Sequence, residues 1–335
     1  MQDYYSIMIL LGTILILGIK LMSYFESFAL KKEILAIPGN RTLHQNRTPR
    51  GGGIVFSLLF VLGASILFML NKINFEAFMV FGIGGFVATI FGFLDDLIDI
   101  SEGYKLGMQC LLAIWVIYWI DPTILIEWIP SWISLFIIVF LLVWMINLYN
   151  FMDGIDGIAI SGALFISILA SFLSWISGGI ELSILLVLLA SSSIGFILYN
   201  WPPARIFMGD SGSIFLGYFF GALVLKSIMN NDISFWVWVI LFSYFLVDTS
   251  VTLLLRIVIV KKYLPHRSHA YQNLARIWNN HLKVTGLIIL YHFLWILPLS
   301  VWATFNPNFE IIAAFLATSP VMFLTVKYGP IFSAS

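Results

Sequence analysis

Eleven apolar stretches, each close to the length of a bilayer-crossing helix, follow one another through the sequence with short polar connections between them. They fall at about 4–24, 52–70, 77–94, 106–120, 132–149, 158–176, 182–199, 212–228, 233–255, 284–304 and 309–327. In hydrocarbon every backbone N–H and C=O must find its partner inside the protein, so runs of this length predict α-helices. The alternating ten-residue pattern of a membrane β-barrel is not what these runs show. Composition points the same way: of 335 residues 61% are hydrophobic and only 10% charged, with mean hydropathy +0.99, where soluble domains carry roughly 25% charged residues. The expectation is an all-α integral membrane protein, a polytopic bundle of about eleven transmembrane helices forming a single domain over residues 1–335. The first stretch lacks a basic leader and a small-residue cleavage site, and reads as a transmembrane helix rather than a cleaved signal. The single cysteine, Cys110, provides for neither an intrachain disulfide nor a Cys-based zinc cluster. A formal net charge of zero gives no reason to expect nucleic acid as a partner.

The loops between the stretches alternate in charge. Those after odd-numbered stretches hold Lys31, Lys32, Arg41, Arg47, Arg50, Lys105, Arg205, Lys261, Lys262, Arg267, Arg276 and Lys283, whereas those after even-numbered stretches hold little more than Lys72. The positive-inside rule then predicts that the odd loops are cytoplasmic and the N-terminus outside, with the chain crossing the cell's inner (plasma) membrane many times. The same odd loops carry the polar motifs. Residues 40–53 read Asn-Arg-Thr-Leu-His-Gln-Asn-Arg-Thr-Pro-Arg-Gly-Gly-Gly, Asp95-Asp96-Leu-Ile-Asp99 opens the second loop, and Asn147-Leu-Tyr-Asn-Phe-Met-Asp-Gly-Ile-Asp-Gly157 forms the third. Residues 199–213 form the fourth, ending Phe207-Met-Gly-Asp210-Ser-Gly-Ser, and Pro265-His-Arg-Ser-His-Ala-Tyr-Gln272 lies in the fifth. Five polar loops on one face predict one composite site at the cytoplasmic boundary of the membrane.

The chemistry of those loops is hard oxygen ligands, Asn amides, basic residues and histidines. Carboxylates without cysteine suit Mg²⁺ or Mn²⁺, and Arg or Lys beside them suits phosphate. That is the equipment of phosphoryl transfer, in which positioning and charge neutralisation do most of the catalysis. Asp153 and Asp156, three apart, would share a face if their segment were helical; the plainer reading is an interhelical turn, which Asn, Asp and Gly favour. Asp95 and Asp96 directly follow an apolar run, an expensive position for mere solubility. Asp248 lies inside the ninth stretch with Arg256 two helical turns on, which suggests function or a buried pair. Ser211 lacks the Gly-x-Ser-x-Gly elbow of a Ser-His-Asp hydrolase. A secondary transporter would also have many helices and an intramembrane acid, but such proteins place their sites near the midplane, often between repeats. Here the polar groups crowd one face and no repeat is visible.

Taken in order, Asp95-Asp96, Asn147-x-x-Asn150-x-x-Asp153-x-x-Asp156-Gly, Asn200-x-x-Pro203-Ala and Phe207-Met-Gly-Asp210-Ser-Gly-Ser resemble the motifs of the polyprenyl-phosphate N-acetylhexosamine-1-phosphate transferases, glycosyltransferase family 4. This family includes the initiators of O-antigen synthesis and the phospho-N-acetylmuramoyl-pentapeptide translocases. The resemblance runs from about Arg41 through Gln272. It implies Mg²⁺-dependent transfer of a sugar 1-phosphate from a UDP-N-acetylhexosamine to undecaprenyl phosphate at the bilayer, with release of UMP; self-association is compatible with such a bundle. By matched position it implies that Asn150 and Asp210 are metal ligands supported by Asn200. Asp153, Asp156 and Phe207 would hold the uridine, Phe207 by stacking. Asp95 and Asp96 would lie beside the lipid phosphate, and Lys105, Arg267 and His269 would meet phosphates or sugar. One departure is informative: relatives with a His-x-His-His stretch in the last loop are matched here only by His269, in His266-Arg-Ser-His269. That sequence looks closer to members acting on deoxy-N-acetylhexosamines of the FucNAc or QuiNAc type in lipopolysaccharide synthesis.

Overall fold

A computed structural model describes residues 2–36, 47–122, 130–260 and 268–330. Its helices are α1 (Gln2–Lys31), α2 (Gly53–Met69), α3 (Phe75–Ile98), α4 (Glu102–Ile120), α5 (Ser131–Met152), α6 (Ile158–Ile176), α7 (Ile180–Asn200), α8 (Asp210–Met229), α9 (Phe235–Leu241), α10 (Ser243–Ile259), α11 (Ala270–Trp278), α12 (His281–Phe305) and α13 (Pro307–Tyr328). The strands β1 (Leu35–Ala36) and β2 (Thr48–Pro49) pair antiparallel, β2 lying within the first polar loop. The chain is therefore an all-α polytopic membrane protein.

All eleven expected stretches fall on helices, with two differences. Among the described residues nine helices are long and apolar enough to span a bilayer. The seventeen-residue α2 is shorter than a full span. The ninth stretch is broken: α9 and α10 meet at 80° beside Phe242. The second half of that stretch, α10, carries Asp248.

Helix α8 is the axis of the bundle, with 83% of its apolar stretch buried, against 22% for α1 and α4 at the periphery. It packs on α5 and α3, while α6, α7 and α1 form a second layer. Lipid tails are as apolar as leucine, so helices in a bilayer associate through close packing at small residues rather than through the hydrophobic effect. The crossing of α3 and α8 shows this directly. At Gly92 an added Cβ would run into the main chain of Asp210, so only glycine allows this approach. The crossing lies one turn before Asp95 and Asp96. It is what brings the end of α3 against the beginning of α8.

The polar loops collect at the end of the bundle where α8 starts. At the opposite end the buried Lys226 of α8 meets Glu181 at 3.3 Å, and the Glu181 carboxylate also accepts the N–H of Asn74 at 2.7 Å. We expect Gly92→Ala to destabilise the protein by about 1–3 kcal/mol through overpacking. Gly107→Ala, where a Cβ meets nothing within 4 Å, should be neutral or slightly stabilising. Thermal unfolding in detergent compares the two; equal transition temperatures would show that the α3–α8 crossing tolerates separation.

Candidate active site

The site is assembled around the first turn of α8. Gly209 precedes it with φ +73°, a left-handed conformation natural to glycine, and a Cβ there would strike the Asp96 carboxylate. Asp96 is buried, and its two oxygens accept the N–H groups of Asp210 at 2.9 Å and Ser211 at 3.1 Å. A carboxylate at a helix N-terminus satisfies orphan donors and complements the positive end of the macrodipole. Asp96 is thus occupied as a cap supplied by another helix, and both of its oxygens are directed at α8 rather than at a ligand.

Asp95 turns the other way. Its Oδ1 accepts the N–H of Ile100 at 2.7 Å, closing the end of α3, where Asp99 adopts φ 49°. Its Oδ2 lies 2.6 Å from Lys105 Nζ, which is also 3.6 Å from Asp210 Oδ2. Lys105 thus ties the Asp95 and Asp210 carboxyl groups together. Carboxyl groups gathered around one ammonium favour bound positive charge, because neighbouring like charges disfavour one another's ionisation. Asn150 Nδ2 donates to Asp210 Oδ1 at 2.7 Å and to Ser213 Oγ at 3.2 Å. The structure therefore brings Asp95, Lys105, Asn150 and Asp210 together from four helices.

The Asn147–Gly157 segment leaves helix α5 at Met152 and re-enters helix α6 at Ile158, so residues 153–157 form a turn and not the helical face on which Asp153 and Asp156 would align. The two carboxylates part. Asp156 Oδ2 accepts the N–H of Ala204 at 3.0 Å and lies 3.3 Å from His281 Nδ1. Among the described residues the half-buried Asp153 carboxylate has no hydrogen-bond or ion-pair partner. Burial, reinforced by the negative charges of Asp96 and Asp156, raises its pKa to about 7.

Asn200 is placed otherwise than expected. Its Oδ1 accepts the N–H of Gly157 at 3.0 Å and its Nδ2 donates to the Ile206 carbonyl at 2.9 Å. Both ends of the amide are committed to backbone, so Asn200 clasps the third loop to the fourth and is turned from any metal. Phe207 is half-buried, and its main chain docks on the first loop, with its N–H on the Pro49 carbonyl at 2.8 Å and its carbonyl accepting from Gly52 at 3.0 Å. Asp248 does not pair with Arg256. It pairs with His269, Nδ1 to Oδ2 at 3.2 Å, while Arg256 Nη1 donates to Ser268 Oγ at 3.3 Å. Arg267 lies outside the described residues.

His281 is a contributor that the loop motifs did not indicate. It sits at the start of α12, beyond the fifth loop, and no local pattern ties it to Asp156. Thr285, one turn on, donates to the Asp156 carbonyl at 2.8 Å. Asp156, Arg276, Asn279, Asn280 and His281 line an open cleft of about 510 Å³, within the roughly 300–1,000 Å³ usual for a small-ligand site.

Among the described residues no three His, Cys, Asp or Glu side chains converge on one point. The donor set still fits Mg²⁺ or Mn²⁺. Each takes oxygen ligands, and Mg²⁺ commonly binds one or two carboxylates and completes its shell with water and phosphate oxygens.

The family model for "Glycosyl transferase family 4" matches residues 78–228, which span α3 through α8 and hold most of this cluster. The chain is 28% identical over 281 residues to a probable undecaprenyl-phosphate N-acetylglucosaminyl 1-phosphate transferase of Bacillus subtilis, covering 80% of this chain and 77% of the relative. It is 30% identical over 249 residues to the phospho-N-acetylmuramoyl-pentapeptide-transferase of Fervidobacterium nodosum, covering 70% and 77%. It is 32% identical over 209 residues to an undecaprenyl-phosphate alpha-N-acetylglucosaminyl 1-phosphate transferase of Thermotoga maritima, covering 60% of each.

Asp153 gives a pH test with a defined sign. The folded protein keeps its proton up to about pH 7, whereas the unfolded chain releases it near 3.9. Between these values the unfolded state binds fewer protons, so this group makes stability fall as pH rises, and its contribution is constant above about 7. We expect the gain in transition temperature from Asp153→Asn to grow between about pH 5 and about pH 8. A gain that is the same at both would show that the carboxylate is not held neutral.

Proposed function

From its place in glycosyl transferase family 4, to which this chain belongs, we propose that the protein transfers N-acetylhexosamine 1-phosphate from a UDP-sugar to undecaprenyl phosphate and releases UMP. The observation that carries the reading is the meeting of Asp95, Lys105, Asn150 and Asp210 at the N-terminus of α8, at one end of a membrane bundle. It supplies a place for phosphate oxygens at the level where a lipid-borne phosphate resides. The names of the Bacillus and Thermotoga relatives support the acceptor and the sugar 1-phosphate donor.

An acceptor phosphate monoester has a second pKa near 6 and is largely a dianion at neutral pH. Its oxygen is already ionised, so no side chain has to remove a proton. The new bond joins that oxygen to the β-phosphorus of the donor. The bond that breaks joins the β-phosphorus to the oxygen bridging the two phosphates, and UMP leaves with the electron pair. Lys105 lies where it can contact phosphate oxygens, and Asp96 holds the α8 terminus in place. Asp210, Asn150 and Asp95 would hold Mg²⁺ or Mn²⁺, which supplies positive charge to offset the diphosphate and the leaving UMP. Asp153 and the Asp156 cleft, with Phe207, are assigned to the nucleoside, and His269 and Arg267 to phosphate or sugar. The site faces the cytoplasm, where sugar nucleotides are made. The His266-Arg-Ser-His269 sequence favours a deoxy-N-acetylhexosamine of FucNAc or QuiNAc type, and the product would begin O-antigen or a related envelope glycan.

Purified protein incubated with undecaprenyl phosphate, Mg²⁺ and a panel of UDP-sugars that includes UDP-N-acetylglucosamine tests this reading by UMP release. We expect turnover with at least one donor, abolished by EDTA and restored by Mn²⁺. Asp210→Asn and Asn150→Ala should each lower it by a factor on the order of 10³. Because UDP-sugars do not cross bilayers, inverted vesicles should turn over and right-side-out vesicles should not. No UMP from any donor would reject the function, and turnover only in right-side-out vesicles would reverse the orientation.

A further inference from the structure

Asp248 is fully buried within α10 and belongs to none of the loop motifs. An acid in the membrane interior is retained only with partners. Among the described residues Asp248 has three, from two segments. Its Oδ1 accepts the N–H of Ala270 at 3.0 Å and the hydroxyl of Thr325 at 3.2 Å, and its Oδ2 faces His269 Nδ1 at 3.2 Å. The first contact caps α11. The second reaches the last helix, α13, which carries no motif of its own. Capping and support take one oxygen, and the other is directed at the imidazole.

The ring of His269 is held on its faces as well. It lies nearly parallel to Phe151, centroids 6.2 Å apart at 29°, and to Tyr271, 5.7 Å apart at 24°. The Tyr271 hydroxyl donates to the Phe151 carbonyl at 2.7 Å, joining α11 to the end of α5 beside Asn150. Stacking fixes the plane of an imidazole but leaves its in-plane rotation and its tautomer open. A carboxylate on Nδ1 sets both, since the donor in that bond must be Nδ1–H.

We infer that Asp248 is a positioning residue for transfer: it holds His269 as the Nδ1–H ring, so that Nε2 is the polar edge the ring presents to substrate. This rests on the reading in which His269 meets a substrate phosphate or sugar. The loss of such a partner can leave the ring in place in the wrong tautomer. An Asn at position 248 offers one acceptor where Asp offers two, and the demands of Ala270 N–H and His269 then compete.

Two measurements test the inference. Imidazole ¹⁵N spectra of histidine-labelled protein in bilayers, with the His269 signals assigned by their loss in His269→Ala, read the tautomer without turnover. We expect a protonated Nδ1 in the wild type and its loss in Asp248→Asn. A wild-type His269 protonated only at Nε2 would overturn the inference. The second measurement is a double-mutant cycle on UMP release from undecaprenyl phosphate and whichever UDP-sugar of the panel gives the highest wild-type turnover. Asp248→Asn should lower kcat/KM at least tenfold alone, but less than about twofold in the His269→Ala background, because its effect passes through the ring. Equal losses in both backgrounds would reduce Asp248 to a helix cap and overturn the assignment. Should Asp248→Asn fail to fold, Thr325→Val withdraws one donor from the same carboxylate and is read in the same cycle, with the same two outcomes. A His269 protonated at Nδ1 in a protein that releases no UMP with any donor would instead reject the transfer reaction and leave the Asp248–His269 pair standing.

Discussion

The Asp96 carboxylate on the backbone N–H groups of Asp210 and Ser211 ties the end of α3 to the beginning of α8. Buried charge at a membrane boundary needs compensation, and a helix terminus provides it with fixed dipoles and donors that have no partners in their own helix. The contact depends on Gly92, which lets the two main chains approach, and on Gly209, which turns the chain and leaves room for the carboxylate. With the two helices clasped in this way, Asp95 lies against Asp210, and Lys105 reaches both. Asn150 joins from α5, which packs along α8. One capping interaction therefore sets the geometry of four polar side chains.

The cluster so formed is under-compensated. Asp95 and Asp210 share Lys105, Asp96 is spent on a helix end, and Asp153 stands half-buried with its pKa raised to about 7. A fold optimised only for stability would not gather these groups, since neighbouring like charges in a buried setting are destabilising. A site that receives a divalent cation and a diphosphate would, because the cation neutralises the acids and the phosphates take up Lys105.

The helical class, the positions of the spans and the grouping of the polar loops could be read from sequence because each rests on local pattern: twenty apolar residues, or a loop rich in Asp and Asn. The break between α9 and α10 could not, since the apolar run continues through Phe242 without a proline or charge to mark it. Roles that depend on which backbone a side chain meets were also out of reach. Asn200 and Asp96 sit in the motifs as expected, but both are engaged by main-chain groups of other segments. Asp248 was conspicuous as an intramembrane acid, and helical spacing suggested Arg256. Its partner is His269, twenty-one residues on and beyond a loop, because the helix break and the start of α11 bring that ring under the carboxylate. His281 meets Asp156 across a still longer separation for which no spacing rule exists.

The central claim is that the α8 cluster serves transfer of a sugar together with its phosphate, and the fate of the donor β-phosphorus tests it most directly. UDP-N-acetylhexosamine labelled with ³²P at the β position would be incubated with the protein, Mg²⁺ and undecaprenyl phosphate, and the products separated into lipid and nucleotide. The account predicts that the label enters the lipid in step with UMP release, while α-labelled donor leaves its label in UMP. Both labels remaining in UDP while the sugar alone reached the lipid would contradict it, since the bond broken would then lie between the sugar and the diphosphate.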